Sequence, residues 1–118
     1  MTGGSHENLI VWQKSVELCV QIYKLTARLP AEEKYGLVAQ MRRAGVSIPS
    51  NIAEGRRRGG EKEFCRYLRI SFGSGAELET QLLIASRLGY LPQADYASIK
   101  SSLNEIMKLL NKLTSTTS

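Results

Sequence analysis

Apolar residues recur along the chain at alternating intervals of four and three positions, which is the spacing of helices that pack lengthwise against one another. This spacing persists over four segments, at about residues 9–29, 35–57, 61–88 and 92–113. Short connections that contain Pro or Gly separate the segments. Four helices with short connections predict a single all-α domain, an antiparallel up-down-up-down four-helix bundle.

The first predicted helix carries two adjacent apolar rows. The second row makes the apolar face wider than one neighbouring helix requires. Two interpretations remain open: the second row packs between two helices of the same bundle, or it is buried against another subunit. The first row is Val11, Ser15, Leu18, Ile22, Leu25 and Leu29, and the second is Trp12, Val16, Cys19 and Tyr23.

The second predicted helix has a proline in the middle of its apolar row. Pro49 cannot donate a backbone hydrogen bond and crowds the carbonyl of Gly45, so we expect a bend near residues 45–49. Asn51 borders the core, and its amide needs a hydrogen-bond partner within the protein. The opposite face is a polar stripe and a candidate subunit contact, formed by Arg43, Ser47, Ser50 and Glu54.

The third predicted helix contains two interior glycines, Gly73 and Gly75. Each is less favourable there than Ala by about 1 kcal/mol, so the pair predicts a close approach by another backbone. Pro49 is the candidate for the approaching segment. Before this helix, Gly55 and the Gly59–Gly60 pair predict a stop and a turn, and Gly89 predicts its end.

The chain termini and the cysteines offer no candidate site. Residues 1–7, with the single histidine His6, are predicted to form a flexible tail, and residues 114–118 a frayed C-terminus. Cys19 and Cys65 lie in helical patterns without metal-ligand spacing, which favours small hydrophobic side chains in a reducing compartment. The sequence has no long apolar run and no signal-peptide pattern, so we expect a cytoplasmic protein without a membrane partner.

Positive charge is concentrated at one point of the chain. The formal net charge is +5, and residues 56–69 alone hold six Lys or Arg side chains against two Glu. Complementing a helix macrodipole and keeping the surface soluble explains one or two of these cations, whereas six resemble a footprint for phosphate backbone. Phe64 belongs to a core row, so sequence-specific readout is not indicated. The candidate nucleic-acid-binding residues are Arg56, Arg57, Arg58, Lys62, Arg66 and Arg69.

Catalytic chemistry has little support in the sequence. There is no Glu-x-x-His pair and no glycine-rich phosphate loop, and we expect no cofactor and no metal. Glu54 and Glu79 could meet across the second and third helices to hold a divalent ion. Pairing of these carboxylates with Arg42 or Arg43 is the preferred interpretation, because buried carboxylates usually have a cationic partner. We therefore expect a protein that is not an enzyme.

Three blocks of the sequence resemble the signature of a known family. They are LIVWQKSVEL followed by IYKLT, then EEKYGLVAQMRRAGVSIPSNIAEG, then FCRYLRISFGSGAELETQLLIASRLGYL, and they span about residues 9–91. The family is that of small bacterial four-helix-bundle proteins encoded in intervening sequences of 23S ribosomal RNA genes. Its members more usually have Ala at the position of Gly45, and its pattern does not require the arginines at 56–58.

The resemblance implies a left-handed bundle that assembles into a homo-oligomeric ring, a pentamer. It also implies a likeness in fold and assembly to the accessory variability protein of diversity-generating retroelements, which binds nucleic acid and a reverse transcriptase. RNA, DNA or such an enzyme are thus candidate partners by fold analogy alone. With the basic cluster, the preferred prediction is a homo-oligomer that binds nucleic acid non-specifically. A protein-binding scaffold and a self-assembling protein without nucleic-acid binding remain alternatives.

Overall fold

The computed structural model of the chain describes His6 and residues 9–117, which form four long α-helices. Helix α1 spans Ile10–Thr26, α2 Leu37–Arg58, α3 Glu61–Arg87 and α4 Gln93–Thr117. A short 3-10 helix, Ala31–Glu33, lies between α1 and α2. The described residues contain no strand, which confirms the predicted all-α fold. None of these helices is long and apolar enough to cross a membrane.

Neighbouring helices of the bundle run in opposite directions. Along each contact, residue numbers rise in one helix while they fall in its neighbour, and α1 packs on both α2 and α4. The four helices therefore close into an antiparallel bundle. The pairs that show this are Ser47–Ser74 and Glu54–Tyr67 across α2 and α3, and Lys14–Glu105 and Arg28–Asp95 across α1 and α4.

The core follows the predicted apolar rows. In the first row of α1 and in the apolar rows of α2, α3 and α4, residues are buried against one another, and only Leu37, Tyr96 and Leu113, near the ends of their rows, are half-buried. Full burial of one such aliphatic side chain contributes about 1.5–3 kcal/mol, so these rows hold the bundle together. The side chains with no exposed surface include Ile22, Met41, Ile48, Ile52, Leu68, Leu78, Leu103 and Leu110.

Small polar residues bring α2 and α3 together. Within the core, Ser71 Oγ donates to the carbonyl oxygen of Ile48 at 2.9 Å. The hydroxyl groups of Ser47 and Ser74 share a hydrogen bond of 2.7 Å. The Asn51 amide donates to the carbonyl and hydroxyl oxygens of Ser47 at 2.8 and 2.9 Å. Asn51 thus has the intramolecular partner that its position in the sequence predicts.

The glycines of α3 do not receive α2, and that prediction was wrong. Gly75 faces α4, where Met107 Sδ occupies the space that a Cβ would need. Gly73 is exposed, and no described atom outside its own helical surroundings lies within 4 Å of its Cβ position. Pro49 is buried within α2, which continues through it. Beside Ser47 and Ile48, the α3 residues that face α2 are Ser74 and Ser71 instead of glycines.

Gly55 is the glycine that lets α2 and α3 approach closely. A Cβ at this position would lie 2.5 Å from Cβ of Tyr67 and 3.5 Å from Cα of Phe64. The sequence suggested a helix stop here, but Gly55 is buried inside α2. Gly45 has more space, since its Cβ would meet Ile22 at 3.7 Å, an ordinary contact distance.

Three helix ends differ from the sequence prediction by two residues or more. Helix α1 stops at Thr26 rather than Leu29. The N–H groups of residues 28 and 29 bond to carbonyls three residues earlier instead of four, and Pro30 follows directly. Helix α2 begins at Leu37, two residues later than predicted.

The C-terminal end of α4 does not fray at residue 114. Residues 114–117 continue the helix, and the hydroxyl groups of Thr114, Ser115 and Thr116 donate to carbonyls three or four residues earlier. At the other terminus, His6 is buried with its ring 4.8 Å from that of Trp12, edge to face. The rest of the predicted tail lies outside the described residues.

Glu33 joins the two connections at one end of the bundle. Tyr90 Oη, after α3, donates to Glu33 Oε2 at 2.9 Å, and the first N–H of α2, at Leu37, donates to Glu33 Oε1 at 3.3 Å. The hydrogen bond to Glu33, with burial and the charges of Glu33 and Glu32, raises the pKa of Tyr90 above its ordinary value. The neutral phenol is therefore the form that the fold stabilises.

We expect Gly55→Ala and Gly73→Ala to change stability in opposite directions. The new methyl group at Gly55 overlaps Tyr67, and such overpacking lowers the free energy of unfolding by about 1–3 kcal/mol. At the exposed Gly73, and at Gly45, the better helix propensity of Ala raises the free energy of unfolding by up to about 1 kcal/mol. Urea denaturation of the three variants measures these changes, and a stabilised Gly55→Ala variant would contradict the close approach.

We expect the contribution of Tyr90 to stability to disappear at high pH. Its pKa in the folded protein lies above the ordinary value of 10.0, so the contribution is complete below pH 10 and is lost as pH rises through the folded pKa. The difference in unfolding midpoint between the wild type and Tyr90→Phe should therefore narrow above pH 10. Tyr35→Phe is the control, because Tyr35 is 88% exposed. A difference that is independent of pH would contradict this account.

Candidate nucleic-acid interface at the α2–α3 turn

Gly59 and Gly60 form the turn between α2 and α3. We use the name tip for the last turn of α2, these two glycines and the first three turns of α3. Gly59 and Gly60 have φ angles of +78° and +85°, which side-chain-bearing residues rarely adopt. Because the turn is so short, the cations at the end of α2 and at the start of α3 are held at the same end of the bundle. This arrangement agrees with the turn predicted from the glycine pair.

Tyr67 is the centre of the tip and is only 8% exposed. The guanidinium carbons of Arg58 and Arg66 lie 5.3 and 4.6 Å from the centre of its ring. Its hydroxyl group donates to Glu54 Oε2 at 3.3 Å. Cation–π attraction therefore fixes two of the six candidate cations around one buried ring.

The same two arginines also have carboxylate partners. Arg58 Nη2 lies 3.0 Å from Glu54 Oε2, and Arg66 Nε lies 2.9 Å from Glu63 Oε1. These hydrogen bonds raise the pKa of both guanidinium groups further above neutrality. A third arginine, Arg56, is half-buried with its guanidinium carbon 5.3 Å from the centre of the Phe64 ring. These contacts stabilise one conformation of each side chain and reduce the charge presented to a ligand.

The remaining three candidate cations point into solvent. Arg57, Lys62 and Arg69 are exposed, and none of them forms an ion pair with a described carboxylate. Lys62, Arg66 and Arg69 follow one another at four-and-three spacing on α3, so they share a side of that helix. The patch is thus divided into side chains with intramolecular partners and side chains available to bind an anion.

A groove between α3 and α4 begins beside Arg69. It has a volume of about 400 Å³ and is lined by Arg69, Phe72, Asn111, Thr114 and Ser115. Phe72 and Asn111 were not predicted from the sequence. Phe72 could have been found from its position three residues after Arg69, outside the core row, whereas Asn111 becomes a candidate only when the contact between α3 and α4 is known.

The predicted subunit contact on α1 lies beside α2. Trp12, Val16 and Cys19 are half-buried and Tyr23 is exposed. Arg42 covers the Tyr23 ring at 4.6 Å, and its guanidinium group donates to the Thr26 hydroxyl group and the Tyr23 carbonyl. The second apolar row therefore packs partly within its own bundle and leaves an outer edge in solvent.

The predicted polar stripe on α2 does not present one continuous surface. Arg43, Ser50 and Glu54 are exposed, but Ser47 turns towards Ser74 of α3. The expected pairing of Glu54 with Arg42 or Arg43 was wrong, because Glu54 is bound by Arg58 in the next turn of its own helix. In the described part of the chain, no group of three or more His, Cys, Asp or Glu side chains could hold a metal ion.

Comparisons with known proteins agree with this architecture. The sequence model of a family described as 23S rRNA-intervening sequence protein matches residues 7–112. The chain is also similar to a crystal structure of a protein of unknown function from the S23 ribosomal protein family, from Bacteroides thetaiotaomicron VPI-5482. The two share 30% sequence identity with a TM-score of 0.80, over 89% of this chain and 98% of that chain. No curated protein matches this chain.

Proposed function

The chain belongs to the 23S rRNA-intervening sequence protein family, and from this premise we propose that it is a non-enzymatic homo-oligomer that binds nucleic acid without sequence specificity. The tip of α2 and α3 is the binding surface. Arg57, Lys62 and Arg69 contact phosphate groups, and Arg58 and Arg66 form the rigid base beneath them. The observation that carries this proposal is that three exposed cations form no ion pair with a described residue, beside two cations that are fixed around Tyr67.

The electrostatics of the tip favour phosphate backbone over a base-reading mode. The rings of Phe64 and Tyr67 are buried, and guanidinium groups cover them. Neither ring can therefore stack on a base at the tip itself. Each phosphate neutralised by a Lys or Arg releases condensed counterions, so binding through this surface weakens steeply with salt.

We expect the double variant Arg57→Ala, Lys62→Ala to bind duplex DNA more weakly and with a smaller salt dependence. Two lost phosphate contacts reduce the slope of log affinity against log salt by about 1.8, on the basis of about 0.9 per contact. Fluorescence anisotropy with a labelled duplex over a series of salt concentrations measures both quantities. Arg69 is left unchanged here so that the tip is tested separately from the adjacent groove.

The matched control removes the same charge from the opposite end of the bundle. Lys34 lies in the α1–α2 connection and Arg87 in the last turn of α3, and both are exposed. Lys34→Ala, Arg87→Ala should leave the salt slope unchanged, because these residues are remote from the proposed contacts. Equal slopes for the wild type and the tip variant would contradict the proposed function.

Two unlike apolar surfaces support the proposed assembly. Val20 and Tyr23 of α1 and Val46 of α2 are exposed. Tyr23 contacts Arg42 of α2, and Val20 and Val46 lie about one turn from these two residues on their own helices. On α3, Leu83, Ile84 and Leu88 are exposed at the end of the bundle remote from the tip. Two different patches on one subunit fit a head-to-tail contact, and contacts of this kind form a ring when the rotation between subunits closes. A ring would repeat the tip, so that weak contacts with one nucleic-acid strand combine.

We expect light scattering to give the wild type a mass several times the 13.1 kDa of one chain. Val20→Glu with Val46→Glu should lower this mass, because a charge buried at a subunit contact is unfavourable without a partner. Tyr35→Glu is the control, since Tyr35 is exposed in the α1–α2 connection, outside both patches. A monomeric wild type would contradict the assembly.

The ion pairs at the tip also favour a second candidate, a scaffold that binds an acidic protein surface. Arg58 and Arg66 already bind carboxylates of their own chain, and Arg57 could bind those of a partner in the same way. A partner, such as the reverse transcriptase suggested by fold analogy, should then remain bound after nuclease treatment. If the partner is released when nuclease removes the nucleic acid, the result favours the first candidate.

A further inference from the structure

The groove between α3 and α4 combines an aromatic ring, an unpaired cation and an amide. From this combination we propose that it binds one unpaired nucleotide, with the base stacked on Phe72 and the phosphate bound by Arg69. The inference deepens the proposed function and rests on it for the path of a strand from the tip into the groove. The chemical class of the ligand, a nucleobase joined to a phosphate, follows from the groove itself.

Phe72 differs from the two rings at the tip. It is 38% exposed, whereas Phe64 and Tyr67 are 6% and 8% exposed. None of the described guanidinium or ammonium groups covers its ring, although three arginines cover the other two. Every base has a face that can stack on such a ring, so this contact tolerates any sequence.

Arg69 supplies a positive charge about one helical turn from Phe72. It lies three residues before Phe72 on the same helix, and Cβ atoms at this spacing are about 5–6 Å apart. A base and its phosphate are attached to the same ribose, so the two side chains can bind the two ends of one nucleotide. Arg69 has no ion pair with a described residue to give up when phosphate binds.

The side of the groove formed by α4 is polar, and two of its three side chains already donate hydrogen bonds within α4. Thr114 donates to the carbonyl of Leu110, and Ser115 donates to the carbonyl of Lys112. Asn111 is exposed, with both the donor and the acceptor of its amide available to the edge of a base. The volume of about 400 Å³ lies within the usual range of about 300–1,000 Å³ for small-ligand sites.

The ligand must be unpaired because a base within a duplex is already stacked on its neighbours. Such a nucleotide comes from a single strand or loop, or from a free mononucleotide. Anisotropy with a labelled single-stranded oligonucleotide and with a blunt duplex of equal length tests the first source. Calorimetry with adenosine 5′-monophosphate, compared with ribose 5-phosphate, tests the second.

We expect Phe72→Leu to weaken single-strand binding by about tenfold, since stacking of one base on an aromatic side chain has an effect of this order. Duplex binding and its salt slope should not change. Phe72→Trp keeps an aromatic ring and should retain single-strand binding. Arg69→Ala should weaken binding of the single strand and of adenosine 5′-monophosphate. Tyr35→Leu is the control, because it replaces an exposed aromatic ring that lies outside the groove.

The outcomes separate this inference from the function on which it rests. Binding of the oligonucleotide with the expected Phe72→Leu effect supports the groove, and adenosine 5′-monophosphate binding in addition adds free nucleotides to its ligands. Single-strand affinity that is unchanged in Phe72→Leu, or that falls by the same factor as duplex affinity, overturns the groove. Duplex binding by the wild type then still supports the tip. Absence of all nucleic-acid binding by the wild type overturns both.

Discussion

The close contact between α2 and α3 is the constraint on which the rest of the molecule depends. It is possible because Gly55 has no side chain opposite Tyr67, and because serines rather than larger residues face each other one to two turns away. Their hydroxyl groups bond across the contact or to the facing backbone, so that the approach does not leave polar groups unsatisfied. The same approach buries Tyr67 at the position where the two basic segments meet.

Burial of that one ring determines which positive charges remain available. A buried tyrosine between two arginines, with its hydroxyl group on Glu54, forms a network in which charge is shared among side chains of the same subunit. Cations outside this network keep their charge for an external anion. The arginines of the tip therefore have two roles, because some of them form the surface and others extend from it into solvent.

The sequence was sufficient for features that depend on periodicity or on backbone geometry. The four-and-three spacing identified the core rows, and the glycine pair at 59–60 identified the turn, because both follow from the helix repeat and from allowed φ angles. The family followed from the signature blocks as well. The handedness of the bundle stays a prediction.

Contacts between helices were harder to predict. The glycine that admits α3 was assigned as a stop, and the one that admits Met107 was paired with the wrong helix, since a single glycine in a pattern does not indicate which neighbour it faces. The groove beside Arg69 was missed for the same reason, because half of it comes from a helix about forty residues away. The partners of the arginines depend on rotamers, which the spacing of residues in a sequence does not specify.

The contact between Gly75 and Met107 places an oxidisable sulfur atom between α3 and α4. The thioether sulfur of Met107 fills the space of a missing Cβ on α3, so its fit depends on a small, apolar sulfur atom. Conversion to the sulfoxide adds a polar oxygen at a packed helix–helix contact and makes the side chain larger and chiral. Oxidation of this one atom would therefore separate α3 from α4 locally, and reduction would restore the fit.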